Sequence, residues 1–292
     1  MNKIETIGVI GAGQMGGGIA QIAAQAGVQV KLVDINDAAI ERGMGAIEKS
    51  LGKLVARGKM DQDAKAATLG RIATATDYDI LVDVGAVIEA APEIFDLKVK
   101  IFAELAQKTS AECLFASNTS SLPITKLAAT TDRPGQFIGM HFFNPVPLMP
   151  LVEIIRGVAT DDVTNDAIAA LTEAFGKTAV IVQDSPGFIV NRVLLPMINE
   201  AVQTLFEGVG TVRDIDAAMT LGTNQPMGPL TLADFIGLDT CLAIMQVLYD
   251  GFGDSKYRPS PLLVKYVQAG WLGRKSGKGF YDYGQDPPAP TR

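Results

Sequence analysis

The length of 292 residues exceeds what one ordinary hydrophobic core supports and suits one large domain or two smaller ones. Hydrophobic residues make up 48% of the chain and charged residues 20%, which is typical of a folded protein and excludes a disordered one. The net charge of −7 argues against a nucleic-acid partner, and no apolar run approaches the roughly 20 residues of a membrane helix. A strand-like run starts almost at the N-terminus and leaves no room for a targeting peptide, so we expect a cytoplasmic protein.

Strand-like and helix-like segments alternate through the first half of the chain. The strand patterns lie at 6–13, 28–34, 71–76, 86–93 and 113–120. The helical patterns between them lie at 15–26, 37–57, 61–69 and 94–108. This alternation predicts parallel βαβ units, and therefore an α/β fold with a Rossmann-type, doubly wound sheet covered on both faces.

The pattern changes near residue 137. Two β-like runs, 136–143 and 151–157, are joined only by "NPVPLMP", which is too short for a crossover helix. We therefore expect an antiparallel hairpin near 137–157 within the mostly parallel sheet. A helix at 162–175 and a strand at 178–184 complete this half.

The sequence "DSPG" at 184–187 marks a break in the chain. The patterns beyond it are helical, at 188–210, 211–222, 228–253 and 259–273. We predict an α/β domain at 1–184 and an all-α domain at 185–292. The proline-containing tail at 284–292 is predicted to be disordered.

A glycine motif follows the first strand and opens the first helix. Gly11 permits a tight turn, Gly13 lets the backbone approach a pyrophosphate, and Gly16 lets helix and strand pack closely. Asp34 ends the second strand, where its carboxylate can accept bonds from a ribose hydroxyl and repel a 2′-phosphate. The motif predicts NAD rather than NADP, bound by Gly11, Gly13, Gln14, Met15, Gly16 and Asp34.

The chain contains one histidine, His141, in the first strand of the expected hairpin. If the loop is symmetric about Pro147, His141 faces Glu153, close enough for an imidazole–carboxylate hydrogen bond. A carboxylate there would fix the tautomer of a catalytic base. The alternative is a core histidine bonded to a backbone carbonyl, with Glu153 solvated. Since the two cysteines, Cys113 and Cys241, form no CxxC pattern, we predict no metal site.

Six sequence blocks in order carry a family resemblance. They are "GAGQMGGGIA", "SNTSSLPITKLA", "GMHFFNPVPLMPLVEII", "DSPGFIVNRVLLPMINEA", "MGPLTLADFIGLD" and "GRKSGKGFYDY". The chain resembles the L-3-hydroxyacyl-CoA dehydrogenases over about residues 3–283, most of all the short bacterial 3-hydroxybutyryl-CoA group. The resemblance implies reversible, NAD-dependent oxidation of an L-3-hydroxyacyl-CoA by a homodimer, with a C-terminal domain for substrate binding and dimerisation.

The resemblance also implies roles for individual residues. His141 matches the family's catalytic base and Glu153 its acidic partner, while Ser120 matches the serine that hydrogen-bonds the substrate oxygen beside the nicotinamide. Asn191 matches the asparagine that holds the reacting acyl group, and its position just past the break leads us to expect a site between the domains. Further matches to NAD contacts are Glu93, Lys98, Asn118, Ser120, Asn144 and Lys275. Any of these could instead be a solvated group, above all Lys98, which lies on a charged helix face.

Basic side chains form a stripe on the second helical segment. Lys49, Lys53 and Arg57 recur at every fourth position, which places them on one face. Such a stripe suits the phosphates of coenzyme A, and Ser50 and Arg57 match family contacts to that ligand. We therefore predict Ser50, Lys53 and Arg57 as coenzyme A contacts, the alternative being a solvated basic face.

Other functions fit the sequence less well. A β-hydroxyacid dehydrogenase would need a lysine base on the long helix after the break, and "NRVLLPMINEA" has none. A non-catalytic, crystallin-like relative would not need to keep His141, Glu153, Ser120 and Asn191. The acyl group stays open, since butyryl, longer chains and the dicarboxylic 3-hydroxyadipyl group all suit the sequence.

Overall fold

The computed structural model describes residues 4–292, so the first three residues of the predicted 1–184 domain lie outside the described residues. Contacts divide the chain into two compact units, the first ending at Ser185 and the second beginning at Pro186.

The first unit is an eight-stranded sheet with helices between most successive strands. Its strands are β1 (Thr6–Ile10), β2 (Gln29–Val33), β3 (Ile72–Ala75), β4 (Ala86–Glu89), β5 (Leu114–Ser117), β6 (Phe137–Phe142), β7 (Leu151–Arg156) and β8 (Thr178–Gln183). Its helices are α1 (Gln14–Gln25), α2 (Asp37–Ala56), α3 (Gln62–Gly70), α4 (Phe95–Lys108), α5 (Ile124–Ala128) and α6 (Asp162–Ala174). All were predicted except α5, whose five residues are too few for a helical period to show.

The strand order is β3-β2-β1-β4-β5-β6-β7-β8, and only β6 and β7 pair antiparallel. This confirms the mostly parallel, doubly wound sheet and its antiparallel hairpin. From β1 the sheet extends one way to β2 and the other way to β4, so the order reverses there. A crevice for a ligand is expected at the carboxyl ends of the strands flanking such a reversal.

The central strands are buried on both faces. Every residue of β4, β5 and β6 is buried. Alternate strand residues pack with α1, α2 and α6 in one core cluster, and on the other face Phe115 and Phe137 contact Phe102 of α4. A polar side chain in these strands therefore needs a partner within the protein. Three such side chains occur near the strand ends, Glu89, Ser117 and His141, and Glu153 of the neighbouring β7 is buried as well.

The second unit is mainly helical. It contains α7 (Val190–Phe206), α8 (Val212–Thr223), α9 (Pro229–Ile236), α10 (Leu238–Phe252) and α11 (Pro261–Gln268), and a short sheet of β9 (Tyr281–Asp282) and β10 (Ala289–Pro290). Within residues 4–292 no single helix has the length and apolarity needed to cross a membrane, although the bent pair α9 and α10 together reach that length and composition.

The predicted helical character of this unit is confirmed, and β9 and β10 add a small antiparallel sheet. Two other predictions for this unit are wrong. The tail is not disordered, since Thr291 donates its N–H to the Phe280 carbonyl at 3.0 Å and its hydroxyl to the Gly279 carbonyl at 2.7 Å. The pattern at 228–253 is not one helix, because Gly237 has φ +104° and the chain turns there by 97°. Only glycine adopts such a φ readily, and it lies outside the helical region.

Candidate active site

The loop between β1 and α1 has the shape of a phosphate cradle. Gly11 has φ +99°, and a Cβ there would lie 2.8 Å from the Ala90 carbonyl oxygen. A Cβ on Gly16 would lie 1.8 Å from the Gly11 carbonyl oxygen, so the protein itself requires glycine at both positions. Gly13, the N-cap of α1, differs because a Cβ there would meet no atom within 4 Å, and no side chain caps the helix. The open space beside this helix N-terminus fits the pyrophosphate of NAD.

Asp34 joins the end of β2 to the glycine loop. Its Oδ2 accepts the N–H of Ala12 at 2.6 Å, and its Oδ1 accepts the N–H of Ile35 at 2.7 Å. Each carboxylate oxygen can accept a second bond, so Asp34 can also receive a ribose hydroxyl. In the first turn of α1, Gln14 is exposed and Met15 is half-buried, so both border the loop.

The hairpin brings His141 and Glu153 together. They are directly opposed in the register of β6 and β7, and His141 Nδ1 lies 2.8 Å from Glu153 Oε2. This confirms the predicted pairing. The alternative with a solvated Glu153 is wrong, since the exposed fraction of its side chain is 1%. The imidazole offsets part of the cost of burying this carboxylate.

The pairing decides which ring nitrogen is basic. An ionised carboxylate only accepts hydrogen bonds, so the neutral imidazole carries its proton on Nδ1 and its lone pair on Nε2. The ring of Phe143 lies 4.5 Å from the imidazole, between centroids, and restricts its orientation. The arrangement can therefore perform general base chemistry at Nε2.

The loop after β5, which carries Ser120, gathers around Glu93. Glu93 Oε1 accepts the Thr119 hydroxyl at 2.6 Å and the backbone N–H groups of Ser120 and Ser121 at 2.8 and 3.0 Å. Burial alone would raise the pKa of Glu93, but the Thr119 hydroxyl and then the ammonium of Lys98 lower it below its usual value. Glu93 is therefore an ionised clamp on this loop.

Asn118 connects three adjacent strand ends. Its N–H is donated to the Glu89 carbonyl at 2.7 Å, and its side-chain Oδ1 accepts the Phe142 N–H at 3.0 Å. Asn144 lies two residues beyond β6 and is exposed. Because β1, β2, β4, β5 and β6 are mutually parallel, the glycine loop, Asp34, Glu93, Ser120 and His141 all lie at the carboxyl edge of the sheet.

Lys98 differs from its predicted environment. The exposed fraction of its side chain is 0%, so the interpretation of a charged, solvated helix face is wrong. Its Nζ lies 2.6 Å from Glu89 Oε1, and Glu89 Oε2 accepts the Ser117 hydroxyl at 2.6 Å. Glu89 and Ser117 were not among the predicted site residues. A charge within the apolar run "VIEAAP" was the signal that could have found Glu89.

The basic stripe on α2 faces solvent. Lys49, Lys53 and Arg57 are exposed, with Arg57 at the C-cap, and Ser50 is half-buried. Among residues 4–292, no carboxylate lies within 4 Å of any of these three cations. The stripe is therefore able to receive phosphate groups.

Two predicted residues belong to the second unit. Asn191, at the second position of α7, is 8% exposed and is therefore buried rather than a surface residue. Lys275 Nζ lies 2.7 Å from Asp239 Oδ2 on α10, and about half of its side chain is exposed. Within the described part of the chain, no three His, Cys, Asp or Glu side chains are grouped to hold a metal ion.

Comparison with family models gives two matches that together span nearly the whole chain. Residues 6–185 match the NAD-binding domain of 3-hydroxyacyl-CoA dehydrogenase, and residues 187–283 match the C-terminal domain of that enzyme.

Relatives and solved structures agree with these matches. The chain is 57% identical over 289 residues to a 3-hydroxybutyryl-CoA dehydrogenase of Bradyrhizobium diazoefficiens, covering 99% of each chain. It is 54% identical to a probable 3-hydroxybutyryl-CoA dehydrogenase of Bacillus subtilis, covering 96% of this chain and 98% of the relative. The crystal structure of (S)-3-hydroxybutyryl-CoA dehydrogenase from Ralstonia eutropha superposes with a TM-score of 0.95 at 52% identity, covering 97% of this chain and 100% of the other.

Proposed function

The chain belongs to the 3-hydroxyacyl-CoA dehydrogenase family, and on that premise we propose that it interconverts L-3-hydroxybutyryl-CoA and acetoacetyl-CoA, with His141 as general base. The family reaction is the NAD-dependent oxidation of a 3-hydroxyacyl-CoA. Bound NAD supplies the hydride acceptor in this reaction. The observation that carries the proposal is the buried pair of His141 and Glu153, whose Nδ1 and Oε2 are 2.8 Å apart.

His141 moves the proton of the substrate hydroxyl. Its Nε2 carries the lone pair because Nδ1–H points to the carboxylate of Glu153. Nε2 takes the hydroxyl proton as the hydride leaves C3, and Glu153 then stabilises the imidazolium. In the reverse direction the imidazolium returns this proton to the ketone oxygen.

Ser120 and Asn191 orient the substrate in this proposal. The Ser120 hydroxyl hydrogen-bonds the oxygen at C3, and its loop is held by Glu93 through two backbone N–H groups. The Asn191 amide holds the acyl group. Asn191 is 8% exposed at the second position of α7, which supports a role in ligand binding rather than in hydration of the surface.

The remaining predicted contacts divide between the two ligands. For NAD we propose the glycine loop with Gln14 and Met15, then Asp34, Glu93, Asn118, Ser120, Asn144 and Lys275. For the phosphates of coenzyme A we propose Ser50, Lys53 and Arg57, which the exposed and unpaired stripe on α2 supports. Lys98 already has three acceptors around its ammonium group, which does not favour a direct contact with the cofactor.

We also propose that the protein is a homodimer formed through the second unit. Large apolar side chains on that unit are exposed, for example Leu221 at 86% and Phe235 at 60%. Exposed apolar surface of this kind is typical of protein interfaces. A cytoplasmic location is proposed because the acyl-CoA and NAD pools that the reaction needs lie inside the cell.

The test of the proposed function is NADH oxidation with a series of 3-ketoacyl-CoA thioesters. We expect kcat/KM to be highest with acetoacetyl-CoA and to fall with hexanoyl and octanoyl chain lengths. A maximum of kcat/KM with 3-ketoadipyl-CoA would retain the proposed reaction but would show that the preferred acyl group is dicarboxylic. The absence of NADH oxidation with every thioester would overturn the proposed function and would favour a non-catalytic, crystallin-like relative.

A further inference from the structure

A buried cation lies beneath the candidate active site. Lys98 on α4 and Glu89 at the end of β4 both have side chains with an exposed fraction of 0%, and their charged atoms are 2.6 Å apart. Removing a charged pair from water carries a large desolvation penalty, and such a pair persists only with good geometry and further hydrogen bonds. A contribution to folding stability alone therefore does not explain why this pair is buried.

The bonds of Glu89 fasten the ends of two strands to this pair. Besides Lys98, its Oε1 accepts the Ala91 N–H at 2.7 Å, and its Oε2 accepts the hydroxyl of Ser117, the last residue of β5, at 2.6 Å. Both carboxylate oxygens thus have protein partners. Glu89 holds the ends of β4 and β5 in fixed relation to Lys98.

The three N–H groups of Lys98 face three acceptors. Its Nζ lies 2.6 Å from Glu89 Oε1, 3.2 Å from the Ala91 carbonyl oxygen and 3.6 Å from Glu93 Oε2. An ammonium group has three donors, of which two are accounted for by hydrogen bonds to Glu89 and Ala91, while Glu93 lies at ion-pair distance. What Lys98 presents to the active site is its charge, which acts on the carboxylate of Glu93.

The two carboxylate oxygens of Glu93 have different partners. Its Oε1 takes the hydrogen bonds of the loop, from Thr119, Ser120 and Ser121, whereas its Oε2 faces the Lys98 ammonium. About one third of the Glu93 side chain is exposed, at 35%. A change in the orientation or charge of this carboxylate would therefore move the loop that carries Ser120.

We propose that Lys98 and Glu89 are positioning residues, whose buried ion pair keeps Glu93 ionised and oriented so that it holds the Ser120 loop in place for the substrate. This inference rests on the proposed function, in which Ser120 contacts the substrate oxygen. It assigns to Lys98 a role through Glu93 rather than through direct contact with NAD.

The test compares Lys98→Met, Glu89→Gln and a control, Lys100→Met, by steady-state kinetics with acetoacetyl-CoA and NADH over a range of pH. Lys100 is exposed on the same helix, so its variant should match the parent protein. Lys98→Met should lower kcat about tenfold or more and raise KM for NADH by a smaller factor, since misplacement of a positioned group acts on the chemical step. The acid limb of the kcat–pH profile of this variant should move to higher pH, by about one unit, because loss of the nearby positive charge raises the pKa of Glu93.

Glu89→Gln should lower kcat as well, because the ion pair that orients Glu93 is lost. It retains the ammonium group of Lys98 beside Glu93, so the acid limb of its kcat–pH profile should not move to higher pH. If Lys98→Met does not fold, the double variant with Glu89→Gln, which leaves no buried charge unpaired, should show the same upward movement of the acid limb.

Four results would overturn the inference. They are a folded Lys98→Met with the parent kcat and pH profile, a loss confined to KM for NADH, a folded double variant with an unmoved acid limb, and a double variant that also fails to fold. The third and fourth would leave the pair with a structural role only. None of these results bears on the proposed function, which the parent protein tests by its own turnover of acetoacetyl-CoA.

Discussion

The identity of the ring nitrogen that faces Glu153 decides what His141 can do. Nδ1 lies 2.8 Å from the carboxylate, and both side chains are almost wholly buried, at 9% and 1% exposure. A buried carboxylate beside one nitrogen fixes the tautomer and stabilises the protonated ring. We therefore expect the pair to act as one unit, in which Glu153 acts through His141.

We propose that Asp34 sets the preference for NAD over NADP. Because its carboxylate stands at the end of β2 and is held by the Ala12 and Ile35 N–H groups, a 2′-phosphate placed there would meet a fixed negative charge. We expect kcat/KM with NADH to exceed that with NADPH. Asp34→Asn should lower the ratio of these two kcat/KM values about tenfold or more, since the amide retains an acceptor without the charge. Steady-state rates with both cofactors provide the measurement. Equal rates in the parent protein would contradict this role for Asp34.

Two buried side-chain pairs differ in how far the sequence predicts them. The pairing of His141 with Glu153 was predictable because the loop is short and strand register is periodic. The pairing of Lys98 with Glu89 was not, because it depends on how α4 rotates over the end of β4. Nothing in the spacing of charges along α4 says which of them turns inward.

Among the elements, the hairpin loop 144–150 has two attachments to its own unit. Lys177 Nζ donates to the carbonyl oxygens of Val146 and Met149, at 2.7 and 2.9 Å. Val146 is buried against α1, where a Cβ on Gly18 would lie 2.7 Å from its own Cβ. The loop that sets the register of the catalytic hairpin is thus itself set by α1.

Two glycine variants test this contact. Gly18→Ala should destabilise the protein by about 1–3 kcal/mol, because the added methyl group overlaps Val146. Gly45→Ala on α2 is the matched control, since its Cβ would meet no atom within 4 Å, and it should stabilise by about 0.5–1 kcal/mol through helix propensity. Urea unfolding gives both free energies. A Gly18→Ala variant that is more stable than the parent would show that the loop does not rest on α1.

The elements also show where sequence reasoning failed. The βαβ half follows from clear periodicities. The break between α9 and α10 was missed because both segments are apolar and helical, and only the φ of Gly237 separates them. The pairing of β10 with β9 was missed because two-residue strands have no period, and the tail is anchored chiefly through Thr291.

For the whole molecule, the two buried cysteines give one probe in each unit. Burial raises the pKa of Cys113 to about 11 and that of Cys241 to about 12. Since only the thiolate reacts, neither should be modified by a disulfide reagent at about pH 8 while the protein is folded, and both should react in denaturant. Variants in which one of the two cysteines is replaced by serine assign the observed modification to Cys113 or to Cys241. Rapid modification of the native protein would contradict the burial of that unit's core.

Association of the whole molecule is tested by its mass in solution. Exposed apolar side chains on the second unit, including Val209 at 74% and Leu221 at 86%, favour an interface there. We expect light scattering to give twice the mass of the 292-residue chain. A monomeric mass at assay concentrations would refute the homodimer.

The most direct test of the account is a kinetic comparison of His141→Gln, Glu153→Gln and the double variant. We predict that His141→Gln lowers kcat about 10²-fold or more, as the loss of a general base does. The double variant should be nearly as active as His141→Gln alone, because residues that act as a unit have non-additive effects. A near-normal kcat for His141→Gln, or a double variant whose loss equals the product of the two single losses, would contradict the account.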